Sequence, residues 1–203
     1  MPFIVDRSAL VSESAGNADL VFLHGIGEGA DGGNNGLNAV RTRSPFLNQF
    51  ALTNFRLIAP QLAKREERWA NRLEDVAQLI ANLRPGPEGR ARPLFLCGFS
   101  IGGAGVVDAV NRFAGGNDIA VSAWCSVDAA LPNEEPLPRI SPEANRIRHL
   151  LVRGPYGFQS EGEIVLPDAH EPPLKYHAWV ALKVFQEGRP LVGDRHLYQW
   201  LLA

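Results

Sequence analysis

The chain has 203 residues, with 20 Lys+Arg against 22 Asp+Glu and a formal net charge of −2. That balance speaks against a protein built to coat nucleic acid or an anionic membrane. An apolar fraction of 45% with 21% charged residues speaks against whole-chain disorder, and one domain is the default at this length. No apolar run approaches the ~18 residues of a membrane span. The N-terminus, Met1-Pro2-Phe3-Ile4-Val5-Asp6, lacks the basic and long apolar regions of a signal peptide. Cys97 and Cys125 each close an apolar run and read as buried, reduced thiols of a cytoplasmic protein, with a catalytic or metal-binding pair as the alternative. No spaced Cys/His set supports zinc, and no metal is expected.

Residues 19–24 (Asp19-Leu20-Val21-Phe22-Leu23-His24) predict a buried strand that stops at Gly25, and 55–59 predict a second, stopped by Pro60. In 69–84, Trp69, Leu73, Val76, Ile80 and Leu83 recur at alternating spacings of four and three, which makes one helical stripe ended by Pro85-Gly86-Pro87. A third strand follows at 94–97, a helix opened by small residues at 101–113, a fourth strand at 119–125 and a fifth at 148–153. Glu163-Ile164-Val165-Leu166 is a weaker sixth, and helices over 174–187 and 195–202 close the chain. The segment 129–147 carries Pro132, Pro136, Pro138 and Pro142 without a clear period; it reads as an irregular excursion that contributes a wall of the binding site. Strand–helix alternation with near-continuous apolar strands predicts an α/β protein with an open, mostly parallel sheet covered by helices on both faces.

The sharpest motif is Gly98-Phe99-Ser100-Ile101-Gly102, a G-x-S-x-G between a predicted strand and a predicted helix. A serine at such a turn stands out at the C-terminal edge of the sheet, and the glycines spare collisions with neighbouring chain. The second motif, His24-Gly25-Ile26-Gly27-Glu28-Gly29, follows the first strand. Acyl transfer needs preorganised N–H donors for the carbonyl oxygen, and the backbone amides of Ile26 and Ile101 are assigned that role. The spacing G-x-G-x-G, with no acidic residue ending the next strand, argues against a nucleotide loop. His24 reads as a structural residue of its loop.

His24-Gly25-x-Gly27-Glu28, then Ala59-Pro60-Gln61, then Gly98-Phe99-Ser100-Ile101-Gly102-Gly103 resembles the α/β-hydrolase superfamily. The similarity is to its small phospholipase/carboxylesterase-like branch, related to feruloyl esterases and polyhydroxyalkanoate depolymerases, and runs over roughly residues 19–128. It implies the α/β-hydrolase fold with a shortened C-terminal region and an ester-cleaving serine hydrolase without a cofactor.

A base and an acid must then follow Ser100 in the chain. His177-Ala178-Trp179 with the closing Leu197-Tyr198-Gln199-Trp200-Leu201-Leu202 is similar to the family's ending; His170 lies where the family's histidine loop falls, and His196 is the third candidate. A helix beginning near Pro172 would place His177 inside it, which counts against a loop residue. The family places an Asp a few residues beyond the strand that ends here at Gly154, and this chain has none there. Asp128, at the end of the fourth strand, is the first substitute, Glu161 the second, and Asp168 is too close to His170 for a separate role. The expected activity is cleavage of a small-molecule carboxylic ester through an acyl-enzyme on Ser100. The rival is a degenerate ligand-binding or scaffold protein on the same fold, motivated by the missing Asp and the shortened C-terminal region. The polar run Asp31-Gly32-Gly33-Asn34-Asn35-Gly36 is expected to form a mobile rim.

Overall fold

The computed structural model describes residues 3–6, 9–12, 16–28, 48–64, 67–83, 91–116, 119–159, 163–166, 173–186 and 189–203. Its strands are β1 (Phe3–Asp6), β2 (Ala9–Ser12), β3 (Ala18–Leu23), β4 (Phe55–Pro60), β5 (Leu94–Phe99), β6 (Ala123–Val127), β7 (His149–Arg153) and β8 (Ile164–Val165). They form one sheet in the order β1-β2-β4-β3-β5-β6-β7-β8. From β4 to β8 every neighbouring pair is parallel, while β2 runs antiparallel to both β1 and β4. The helices are α1 (Gln49–Asn54), α2 (Leu73–Leu83, after a 3-10 turn Trp69–Arg72), α3 (Ile101–Ala114), α4 (Pro142–Arg146), α5 (Pro173–Ala181, running into a π turn Leu182–Gln186) and α6 (Leu197–Leu202).

The near-continuous apolar strands have the cause expected of them. Side chains alternate across a strand, so Leu20 and Phe22 of β3 enter one core while Val21 and Leu23 enter the other. The first core joins Phe55, Phe95, Cys97, Phe99 and Cys125 to Ala51 of α1, Val180 of α5 and Tyr198 of α6. The second joins Leu96 and Trp124 to Trp69, Ile80 of α2, and Val106 and Val110 of α3. Cys97 and Cys125 are register partners on β5 and β6, fully buried and unbridged. Burial pushes the Cys125 thiol well above its usual range, the neighbouring Cys97 adding to the effect. No described helix is long and apolar enough to cross a membrane.

Several elements differ from the sequence-based expectation. The fourth strand lies at Ala123–Val127 instead of 119–125, because pairing with β5 sets its register from Phe95↔Ala123 to Phe99↔Val127. Ile119 and Val121 pack against the second core before that strand begins. The β1–β2 hairpin and α1 were not foreseen; α1 starts where the Asn48 side chain accepts the Phe50 N–H at 2.8 Å. The excursion 129–147 contains a short helix, α4, whose N-cap Ser141 accepts the Ala144 N–H. The run 31–36 lies outside the described residues.

Candidate active site

Ser100 occupies the single-residue corner between β5 and α3. Its backbone is left-handed, φ 59° and ψ −125°, a conformation that costs a residue with a Cβ of order 1–3 kcal/mol. Its surroundings hold it there. The Ser100 N–H donates to the Val127 carbonyl at 3.1 Å, and its own carbonyl accepts from Ala104 and Ala130, each at 3.2 Å. The flanking glycines are packing requirements: a Cβ on Gly98 would collide with the Gly102 carbonyl, and one on Gly102 with the carbonyls of Leu23 and His24. The motif is therefore the contact between β5, the end of β3 and the first turn of α3.

The chain after β3 comes equally close. A Cβ placed on Gly25 would lie 3.4 Å from Ser100 Cβ and 3.2 Å from Glu28 Oε2. Gly25, Ile26, Glu28, Ser100, Ile101 and His177 line one cavity of about 1300 Å³, walled opposite by 129–135. Ile101 opens α3, so its amide is among those without an intrahelical acceptor. Ile26 opens the 3-10 turn Ile26–Glu28. Glu28, buried at this cavity, had no site role in the sequence reading, although it sits in the quoted His24–Glu28 motif.

Asp128 follows β6 directly, also at positive φ (43°), and is fully buried. One carboxylate oxygen, Oδ1, accepts the N–H groups of Gly154 and Tyr156, each at 2.9 Å. The other, Oδ2, lies 2.6 Å from His177 Nδ1. A carboxylate only accepts, so Nδ1 carries the proton and Nε2 keeps the lone pair. His177 stands in the second turn of α5, and its side chain is 14% exposed. His177 does lie inside a helix, as expected; α5 packs on the face of the sheet from which Phe99 projects and brings the imidazole to Asp128 at the end of β6. Among the described residues, Ser100 Oγ makes no hydrogen bond; it shares the cavity with His177 without a direct bond.

His24 and His196 have other work. His24 is fully buried, its Nδ1 at 2.6 Å from the Gly25 carbonyl and its Nε2 accepting the Leu62 N–H at 3.1 Å. Burial lowers its pKa to about 4, partly opposed by the bond to Gly25. His196 caps α6 through a reciprocal pair of bonds with Gln199. His170, Glu161 and Asp168 lie outside the described residues. No group of three or more His, Cys, Asp or Glu among the described residues is arranged to hold a metal.

No protein-family model matches the sequence, and no curated protein matches it. Solved structures do. MenH from S. aureus aligns at 14% identity over 61% of this chain and 43% of that one, with a TM-score of 0.40. A structure of the metagenome-derived lipolytic enzymes LipS and LipT aligns at 21% identity over 64% and 48%, TM-score 0.42. YbtT, a type II thioesterase from the yersiniabactin pathway, aligns at 16% identity over 60% and 47%, TM-score 0.40. The chain spans less than half the length of each of these proteins. The assignment of architecture rests on the molecule's own topology. With its antiparallel β2, the parallel run from β4 to β8 and the serine corner between β5 and α3, this chain has the α/β-hydrolase fold.

Proposed function

We propose that the chain is a serine hydrolase that cleaves a small-molecule carboxylic ester through an acyl-enzyme on Ser100. Ser100 Oγ attacks the ester carbonyl and forms the tetrahedral intermediate. His177 Nε2 takes the serine proton, and Asp128 holds the ring in the tautomer that can do so. The amides of Ile26 and Ile101 stabilise the oxyanion. His177 then returns the proton to the leaving alkoxide, which departs as the alcohol. Water, deprotonated by His177, releases the acid and restores Ser100. These steps call on side chains, backbone and water alone. The reading places the protein in the cytoplasm, where Cys97 and Cys125 stay reduced.

One observation carries this reading: the 2.6 Å contact between His177 Nδ1 and a fully buried Asp128, in the cavity that Ser100 also lines. A ring fixed in this way presents a basic nitrogen to the site, and serine–histidine bonds are often long before substrate arrives. The contact also weighs against one of the two motives for the degenerate-scaffold rival, the lack of an Asp after β7. A fluorophosphonate probe tests the reading. It should label Ser100 in the wild type and fail on Ser100→Ala, and that variant should lose at least ~10³ in turnover of p-nitrophenyl esters while remaining folded. A folded wild-type chain that neither labels nor turns over an ester or thioester of any chain length would refute it.

A further inference from the structure

One hydrogen bond fixes a point of a ring but not its plane, because the last torsion of a histidine is broad. The His177 ring has two further contacts. Phe99 stacks on it, with centroids 4.4 Å apart and planes 27° from parallel. Tyr156 meets it at right angles, with centroids 5.2 Å apart and an interplanar angle of 85°. Each partner also has a contact of its own outside the ring. Phe99 is set by the alternation of β5, whose Phe95, Cys97 and Phe99 enter the same core. Tyr156 is set by its own amide, bonded to Asp128 Oδ1.

We propose that Phe99 and Tyr156 are positioning residues: together they clamp the plane of the His177 imidazole, and the face of Phe99 stabilises the positive charge that the ring carries while it holds the serine proton. The inference rests on the proposed role of His177. Its physical basis is the negative face of an aromatic ring, which attracts a cation within about 6 Å of its centroid. The same residue that precedes the nucleophile would thus also serve the base. The other titratable groups on the ring are Asp128 at 2.6 Å and Tyr156; Ser100, Glu28, Glu134, Glu135 and Arg153 line the same cavity. The Phe99 substitutions below leave each of these in place.

The test combines NMR titration of the His177 ring with the acid limb of kcat/KM for p-nitrophenyl butyrate, both on the full chain. Phe99→Leu should lower both midpoints by about 0.5 pH unit, since the protonated ring loses its aromatic partner. Phe99→Trp and Phe99→Tyr keep an aromatic face and should hold both midpoints near wild type. Tyr156→Ala should lower kcat by roughly tenfold, with KM moved far less, as a loosened ring spends less time aligned. Midpoints unchanged in Phe99→Leu, or shifted equally in Phe99→Trp, would overturn the clamp. Should Phe99→Leu fail to fold, Phe99→Met replaces it in the same comparison. Fluorophosphonate labelling at pH 9 separates the two claims. Labelling of Ser100 with unmoved midpoints defeats only the clamp, while a wild type that never labels defeats the role of His177 on which it rests.

Discussion

Asp128→Asn is the substitution in which the geometry dictates the outcome most directly. The amide replaces one oxygen by a donor, and the surroundings decide which one. Two N–H groups, of Gly154 and Tyr156, converge on the Oδ1 position, so the remaining oxygen is held there. The NH₂ group then takes the place of Oδ2 and faces His177 Nδ1 at the 2.6 Å position. Two donors cannot share that contact, so Nδ1 gives up its proton and accepts. The ring is left in the tautomer with Nε2 protonated, which cannot receive the proton of Ser100. Misplacing the tautomer in this way costs about 10⁴ in kcat, or about 5.5 kcal/mol of transition-state stabilisation. Both amide donors keep their acceptor and no charge is buried, so the melting temperature should change little. Asp128→Ala, by contrast, takes the acceptor from the part-buried Gly154 and Tyr156 N–H groups and should destabilise by about 1–3 kcal/mol in all. The measurements are kcat/KM on a p-nitrophenyl ester, the rate of Ser100 labelling, and thermal unfolding by circular dichroism. An Asp128→Asn enzyme within tenfold of wild type would refute the reasoning, because it would show that His177 does not need its Nδ1 proton.

Two further predictions concern the frame around the site. Gly102→Ala drives a methyl into the carbonyls of Leu23 and His24, and rigid backbone there leaves no room for repacking; stability should fall by at least ~3 kcal/mol, at the upper end of overpacking penalties. Soluble yield and melting temperature read this, and a variant as stable as wild type would show that the turn is not close-packed. His24 makes stability depend on pH. Its folded pKa is lowered to about 4, against roughly 6.5 in the unfolded chain, so the unfolded state takes up the proton first as pH falls. The contribution is present above about pH 6.5 and is lost on the way down to pH 4, with about 2 kcal/mol gone between pH 7.5 and pH 5. Urea midpoints at those two pH values should differ by that amount more in the wild type than in His24→Gln; equal differences would contradict the burial of a neutral ring.

What the sequence discloses follows from how local each cause is. The strands β3, β4, β5 and β7 were legible because burial on both faces makes their residues apolar one after another. The serine corner was legible because its glycines answer a steric demand within five residues. The proposed acid was legible only as one of a set of candidates. Asp128 comes to the site because β6 pairs with β5 and β7 in a register that puts Val127 opposite Phe99 and Val152, and no local pattern fixes a register. The hairpin β1–β2 escaped notice because strands of four residues are too short to show a period. It is held instead by remote contacts, such as the Leu57 N–H donated to the Ser12 hydroxyl. His177 was legible by type, but which way its helix faces was not, since facing is a tertiary property.

The stretch after β7 shows how this chain arranges a buried acid without an Asp in that place. Gly154-Pro155-Tyr156 supplies no carboxylate but does supply two amides, and the residue between them is a proline with no N–H to misdirect. Both amides meet on Asp128 Oδ1, while Oδ2 is left for His177. A side chain added at Gly157, by contrast, would meet Arg153 and not Asp128. An Asp introduced at Gly157 would sit at positive φ and crowd Arg153, straining the loop whose amides hold Asp128, so kcat/KM on a p-nitrophenyl ester should fall; a variant more active than wild type would refute this.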